Sequence, residues 1–149
     1  MAPFIFLENI VLADAAFEAT GDSPSELFES AAQAVIETMV DPRTVAATWH
    51  RIIKRQDGDL ASLLFDWLSD IVYLKDAEGV VFRTAEAAVS HDAASGIWRL
   101  RGTLAGAPID VGRQDLRADV KAVTKHLYEV RRGERSGQET WLARVVLDI

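Results

Sequence analysis

The residues best suited to chemistry stand near the two ends of this chain. The last stretch, Trp141-Leu-Ala-Arg-Val-Val-Leu-Asp-Ile149, has a strand pattern that runs straight to the final residue. It sets the Asp148 carboxylate beside the α-carboxylate of Ile149, on a segment too apolar for a disordered tail. Two adjacent carboxylates on a rigid strand repel each other unless something positive sits between them. A hard cation with oxygen ligands meets that need, and a third acid, such as Asp14, would complete the cluster. Such donors suit Ca²⁺, Mg²⁺ or Mn²⁺. The competing reading is a strand end with a solvated aspartate.

A second group lies in Val120-Lys-Ala-Val-Thr-Lys-His-Leu-Tyr-Glu-Val130. Alternation places Lys121 and Lys125 on one face with Val123 between them, and it puts His126 on the same strand. These read first as a solvated lysine pair and an edge histidine. Searching for enzyme signatures returns negatives. There is no phosphate-binding G-x-x-x-x-G-K-[ST], no G-x-G-x-x-G after a strand, no H-E-x-x-H, no G-x-S-x-G and no EF-hand spacing. A cation site, if present, must therefore be assembled from distant segments.

Composition narrows the classes. The 149 residues are enough for one domain, and 49% of them are hydrophobic, so a packed core is expected. Lysine and arginine number 16 against 23 acids, for a net charge of −7. That balance disfavours a chain that grips nucleic acid on its own. The absence of cysteine removes disulfides, thiol catalysis and zinc–thiolate sites, and agrees with a cytoplasmic protein. The N-terminus lacks the basic n-region and long apolar core of a signal peptide. No apolar run approaches the roughly 20 residues of a membrane span.

Two helices and a set of strands must position these groups. Ser23-Pro-Ser-Glu26 reads as N-cap, N1 and capping-box acid, followed by an apolar face from Leu27 to Met39 that Asp41-Pro42 ends. A second stripe from Leu60 to Leu74 begins after Asp57-Gly-Asp59 and stops at Gly79. Glu29, Glu37, Asp66 and Asp70 read as solvated faces, and Phe28, Phe65 and Trp67 as core. Strands are expected over Phe4 to Leu7, Leu12 to Thr20, His50 to Lys54, Val80 to Phe82, Ala87 to His91, Ile97 to Arg101, Val120 to Val130 and Trp141 to Leu147. A bulge is expected between Phe82 and Ala87, a hairpin turn at Asp92 to Gly96 and a polar turn at Arg131 to Gln138. Ala105 to Arg117 reads as the longest irregular and most mobile part. The pattern describes a single α+β domain, a largely antiparallel sheet with two amphipathic helices packed on one side.

Several blocks together resemble the archease family. Phe6-Leu-Glu8 with Ala13-Asp14 is similar to its N-terminal F-L-E-H-T-A-D. The runs Gly21 to Ala32 and Asp59 to Gly79 are similar to its two helices. Val120 to Val130 resembles its V-K-A-V-T-Y-H-x-L-E-V strand, and Val146-Leu-Asp-Ile149 its terminal aspartate-isoleucine. The resemblance covers almost the whole chain in order.

It implies a small α+β protein that is not itself an enzyme. Its role would be to activate an RtcB-type RNA ligase in tRNA splicing and RNA repair, by promoting ligase guanylylation and repeated turnover. RNA would be met only through the ligase. It also implies a divalent-ion site, described with calcium, formed by Asp14, Asp148 and Ile149, and an activating lysine at Lys121. His126 matches the histidine of the same strand motif.

The chain departs from the family pattern in three places. The H-T-A-D-I-G block is here Val11-Leu-Ala-Asp-Ala-Ala16, without its histidine and glycine, and about two extra residues separate Glu8 from Asp14. The tyrosine of V-K-A-V-T-Y-H is Lys125. Two other classes stay open on the residues alone. One is a small metal-dependent hydrolase or phosphotransferase using Asp14, Asp148, Lys121 and His126. The other is a chaperone or binding module for a different RNA-processing enzyme.

Overall fold

The computed structural model describes residues 3–7 and 14–149. Among these residues are seven strands and two α-helices, with one short 3-10 turn at Pro42–Thr44: β1 (Phe4–Phe6), β2 (Ala15–Gly21), α1 (Pro24–Met39), β3 (Trp49–Asp57), α2 (Leu60–Glu78), β4 (Val80–Asp92), β5 (Ile97–Pro108), β6 (Ala122–Arg135) and β7 (Gln138–Asp148). Every strand pairing is antiparallel. The strands form two sheets rather than one, in the orders β1-β2-β7-β6 and β3-β5-β4. The turn expected after Leu7 and the segment 8–13, with Glu8 and Val11, lie outside the described residues.

Both helices form where their caps place them. The Ser23 hydroxyl accepts from the Glu26 N–H at 3.2 Å with Pro24 in the first turn, and the Asp59 carboxylate accepts from the Ser62 N–H at 3.1 Å. Gly79 ends α2 at φ 63°, a left-handed position that glycine takes without penalty. α1 packs on β2 and β4, one strand of each sheet, while α2 packs on β6 of one sheet and on β3, β4 and β5 of the other. The helices thereby join the two sheets around one core. Its centre is Trp67, fully buried, whose indole N–H donates to the Phe28 carbonyl at 3.0 Å and links α2 to α1. Gly102 of β5 lies flat against the Trp67 ring, where a Cβ would collide with it.

Val80 to Phe82 and Ala87 to His91 lie on one longer strand, β4, with the expected bulge as a register shift between Phe82 and Thr84. Other sequence expectations need correction. β5 runs on to Pro108, and the polar turn narrows to Ser136 and Gly137, both at positive φ, because β6 and β7 continue pairing to Arg135 and Gln138. The irregular stretch after β5 is tied down rather than free. Asp115 O accepts from Asp41 N–H at 2.9 Å, and Arg117 N–H and Ala118 N–H donate to Met39 O and Thr38 O at 2.8 and 3.1 Å. The last two satisfy carbonyls that the end of α1 leaves without helical partners.

All four acids read as solvated have partners: Glu29 accepts from the Ala87 N–H at 3.0 Å, Glu37 accepts from the Gln33 amide at 2.9 Å, and Asp70 holds Arg55 with Asp66 3.8 Å away. Phe65 is half-buried, packed against the core on one side and covered by the Lys125 ammonium over its ring.

The largest irregularity is in β6. Thr124 pairs with Val146 and Glu129 with Arg144, so Lys125, His126, Leu127 and Tyr128 stand against Val145 alone. Leu127 takes φ 55° to make the bend, and the Arg144 guanidinium fills it, donating to Leu127 O at 3.0 Å. The bend carries β6 onto α2. The Tyr128 hydroxyl donates to Ala61 O at 2.6 Å, and burial of the phenol pushes its pKa up.

Candidate metal and partner site

The register of β2 on β7 decides where the acids go. Ala15 pairs with Leu147, so Asp14, the residue before β2, and Asp148, the last residue of β7, lie at the same end of the sheet. Asp148 also pairs with Ala122 of β6. Asp148 shares a face of β7 with Val146, and Ile149 follows it. Asp14 is half-buried, whereas Asp148 and Ile149 are exposed. The antiparallel pairing therefore joins the two distant acids that the sequence singled out.

Lys121 arrives by another route. It precedes β6, and its backbone N–H donates to Asp148 O at 2.7 Å. Its side chain is exposed. Main chain, not side chain, ties it to the acids. His126 is not brought to this end: it is exposed in the bulge. Lys125 turns in the bulge too, with its ammonium 3.8 Å from the Phe65 ring centre and 5.4 Å from that of Tyr128. The expected face with two solvated lysines is therefore not formed.

Among the described residues, no three Asp, Glu, His or Cys side chains converge. A cation here would need oxygens beyond the two aspartate side chains, and a C-terminal carboxylate on Ile149 is the nearest in sequence. The donors are oxygens throughout, which fits a hard divalent ion and not a soft one.

One contributor was missed in the sequence. Lys75, in the last turn of α2, is buried, yet its ammonium has three oxygen partners. It pairs with Asp119, with Asp76 at 2.9 Å and with Val120 O at 2.7 Å. Burial draws the lysine pKa down, but the Asp119 and Asp76 hydrogen bonds outweigh it and leave the pKa raised. Lys75 thus anchors the two residues before Lys121. The signal was readable: Lys75 follows Leu64, Leu68 and Ile71 on the apolar stripe, where an unpaired charge is not tolerated.

Comparison with known proteins bears on the whole chain. The Archease protein family (MTH1598/TM1083) matches residues 4–149. The chain is 34% identical over 137 residues to a protein archease of Methanopyrus kandleri, covering 92% of this chain and 94% of that one. It is 37% identical over 139 residues to a protein archease of Methanothermobacter thermautotrophicus, covering 93% and 94%. The solution structure of Methanobacterium thermoautotrophicum protein 1598 superposes with a TM-score of 0.80 at 35% identity, covering 100% of both chains. No helix among the described residues is long and apolar enough to cross a membrane.

Proposed function

This chain belongs to the archease family, and on that premise we propose that it is a protein cofactor of an RtcB-type RNA ligase. It promotes guanylylation of the ligase and its multiple turnover in tRNA splicing and RNA repair. It is not the ligase, and RNA reaches it through the ligase. That role places it in the cytoplasm.

The observation that supports this most is the β2–β7 register, which brings the start of β2, after Asp14, and the end of β7, at Asp148, to one end of the sheet. Asp14, Asp148 and a terminal carboxylate on Ile149 hold a divalent cation, calcium first, with magnesium or manganese as substitutes. When bound, the ion supplies a positive centre that neutralises the carboxylates and can accept a phosphate oxygen. The chain's own residues do the rest. Asp14 and Asp148 keep an acidic end on a rigid sheet edge, where it can dock near the ligase active site. Lys121, exposed and fixed to Asp148 through the main chain, presents a cation to an anionic group of the ligase complex. Exposed His126 meets the ligase surface.

The test is guanylylation and multiple-turnover ligation by the ligase of the same host. It is run alone, with the untagged protein, and with its Asp14→Ala and Lys121→Ala variants. Stimulation by the wild type that both variants lose supports the role and its residues. Stimulation that survives Asp14→Ala moves the chemistry away from the acidic end. An active ligase that the wild type does not stimulate overturns the proposal.

A further inference from the structure

The sheet β3-β5-β4 turns one face to the helices and one to solvent. Two cations of β3 on the helix side are matched by α2. Arg51 pairs with Glu78 at 3.3 Å, and Arg55 pairs with Asp70 at 2.8 Å and Asp66 at 3.8 Å. The outward face is treated differently. Across the three strands Lys54 stands opposite Arg101 and Arg101 opposite Ala88, while Gln56 stands opposite Arg99 and Arg99 opposite Ser90. All six residues are exposed, and they line a shallow concavity of about 530 Å³. Ala88 and Ser90 leave its floor open.

The charges on this face lack local compensation. Among the described residues neither Lys54 nor Arg101 has an ion-pair partner, and Arg99 has only Asp92 at 3.7 Å. Glu86 lies one register step away, in the row of Ile52 and Thr103. Like charges directly opposite each other weaken an antiparallel pair. A chain with a net charge of −7 has acids to spare, yet none faces Lys54 or Arg101 across the strands. An anion from outside relieves the pair.

The donor set names the anion. A lysine, two arginines, an amide and a hydroxyl on an open surface are the groups that contact phosphates, and the arginine fork fits phosphate oxygens in pairs. A protein partner would be expected to seat an aromatic or aliphatic anchor in a pocket. This face offers only Ile52 at its margin.

We propose that the outward face of β3-β5-β4, through Lys54, Arg99 and Arg101, binds the phosphodiester backbone of a nucleic-acid strand. That this strand is RNA rests on the ligase reading above. The remaining acidity of the chain keeps the contact weak and salt-sensitive, so the face binds a strand alone only at low salt and otherwise steers one held by another protein.

The test uses the isolated full-length protein without ligase, so that its failure is separate from failure of the ligase role. Fluorescence anisotropy follows a labelled 12-residue oligouridylate at low salt. Saturable binding is expected, weakening roughly fifteen- to twenty-fold between about 50 and 200 mM salt for three neutralised phosphates. Arg99→Gln/Arg101→Gln should weaken binding about tenfold or more at low salt without lowering the melting temperature. The charge-matched control Arg113→Gln/Arg131→Gln should leave it unchanged. Any one of three results overturns the proposal: no binding by the wild type at low salt, equal loss in the control variant, or displacement by polyglutamate as effective as by unlabelled RNA. The last would show that the face takes acidic polypeptide instead.

Discussion

The backbone N–H of Lys121 donates to the carbonyl oxygen of Asp148 at 2.7 Å. That bond closes a path through the molecule. The end of α1 holds residues 115–118, Lys75 at the end of α2 holds Asp119 and Val120, and Lys121 then meets the last strand. The acidic sheet end is thus fixed by both helices.

Lys75→Met should expose that dependence. Methionine keeps the packing volume but leaves the Val120 carbonyl unpaired, while the exposed Asp119 and Asp76 return to water. A loss of about 1–3 kcal/mol is expected from the unsatisfied buried group, measured by urea unfolding. Hydrogen exchange should show the Lys121 amide losing protection before the centre of β7 does. Unchanged stability and exchange would show that Lys75 is dispensable to the site.

Metal affinity should fall when any one of the oxygen donors is removed. Asp14→Asn and Asp148→Asn should each weaken calcium or manganese binding about tenfold or more by calorimetry, on the scale of losing one anionic ligand. Residues added after Ile149 convert its α-carboxylate to an amide and should weaken binding in the same direction. Equal affinities for tagged and untagged protein would remove the terminal carboxylate from the site.

Gly102→Ala tests the core beneath the basic face. The added Cβ meets the Trp67 ring, which cannot retreat without breaking its bond to Phe28 O. Overpacking should cost about 1–3 kcal/mol. Gly133→Ala, where a Cβ meets nothing within 4 Å, is the control and should change little. A melting temperature unaltered by Gly102→Ala would contradict the tight β5–α2 contact.

Acid should loosen the end of α1. Hydrogen bonds from the Arg43 side chain, then from its backbone N–H, lower the Asp41 pKa from 3.8 to about 2. A carboxylate with a depressed folded-state pKa stabilises fully above its unfolded value and loses that contribution as pH falls through the folded one. Asp41→Asn should therefore lower the melting temperature at pH 6, and the gap should close between about pH 4 and pH 2. A gap independent of pH would show that the charge of Asp41 is not what holds the turn.

Much of the fold was legible because its signals are local. Ser23, Pro24 and Glu26 announce α1, and Asp59 and Gly79 bracket α2, since caps are chemistry between near neighbours. Alternation correctly put Arg99 and Arg101 on one face of β5 and Trp98 and Leu100 on the other. It failed for Lys125, because the β6 bulge depends on Arg144 and on the docking of Tyr128 upon α2, both remote in sequence. The count of sheets was also hidden, since which strands pair is a long-range choice.

The sequence alone determined the α+β class, both helices and the family, and it singled out Asp14, Asp148, Ile149 and Lys121. Residue type and short spacing carry that information. Only the tertiary structure decided that β2 lies beside β7, so that residues 14 and 148 come to one end of the sheet. It alone pinned Lys121 by its backbone and left His126 exposed in the β6 bulge. Strand register and burial follow from the packing of segments far apart in the chain, and no local pattern encodes them.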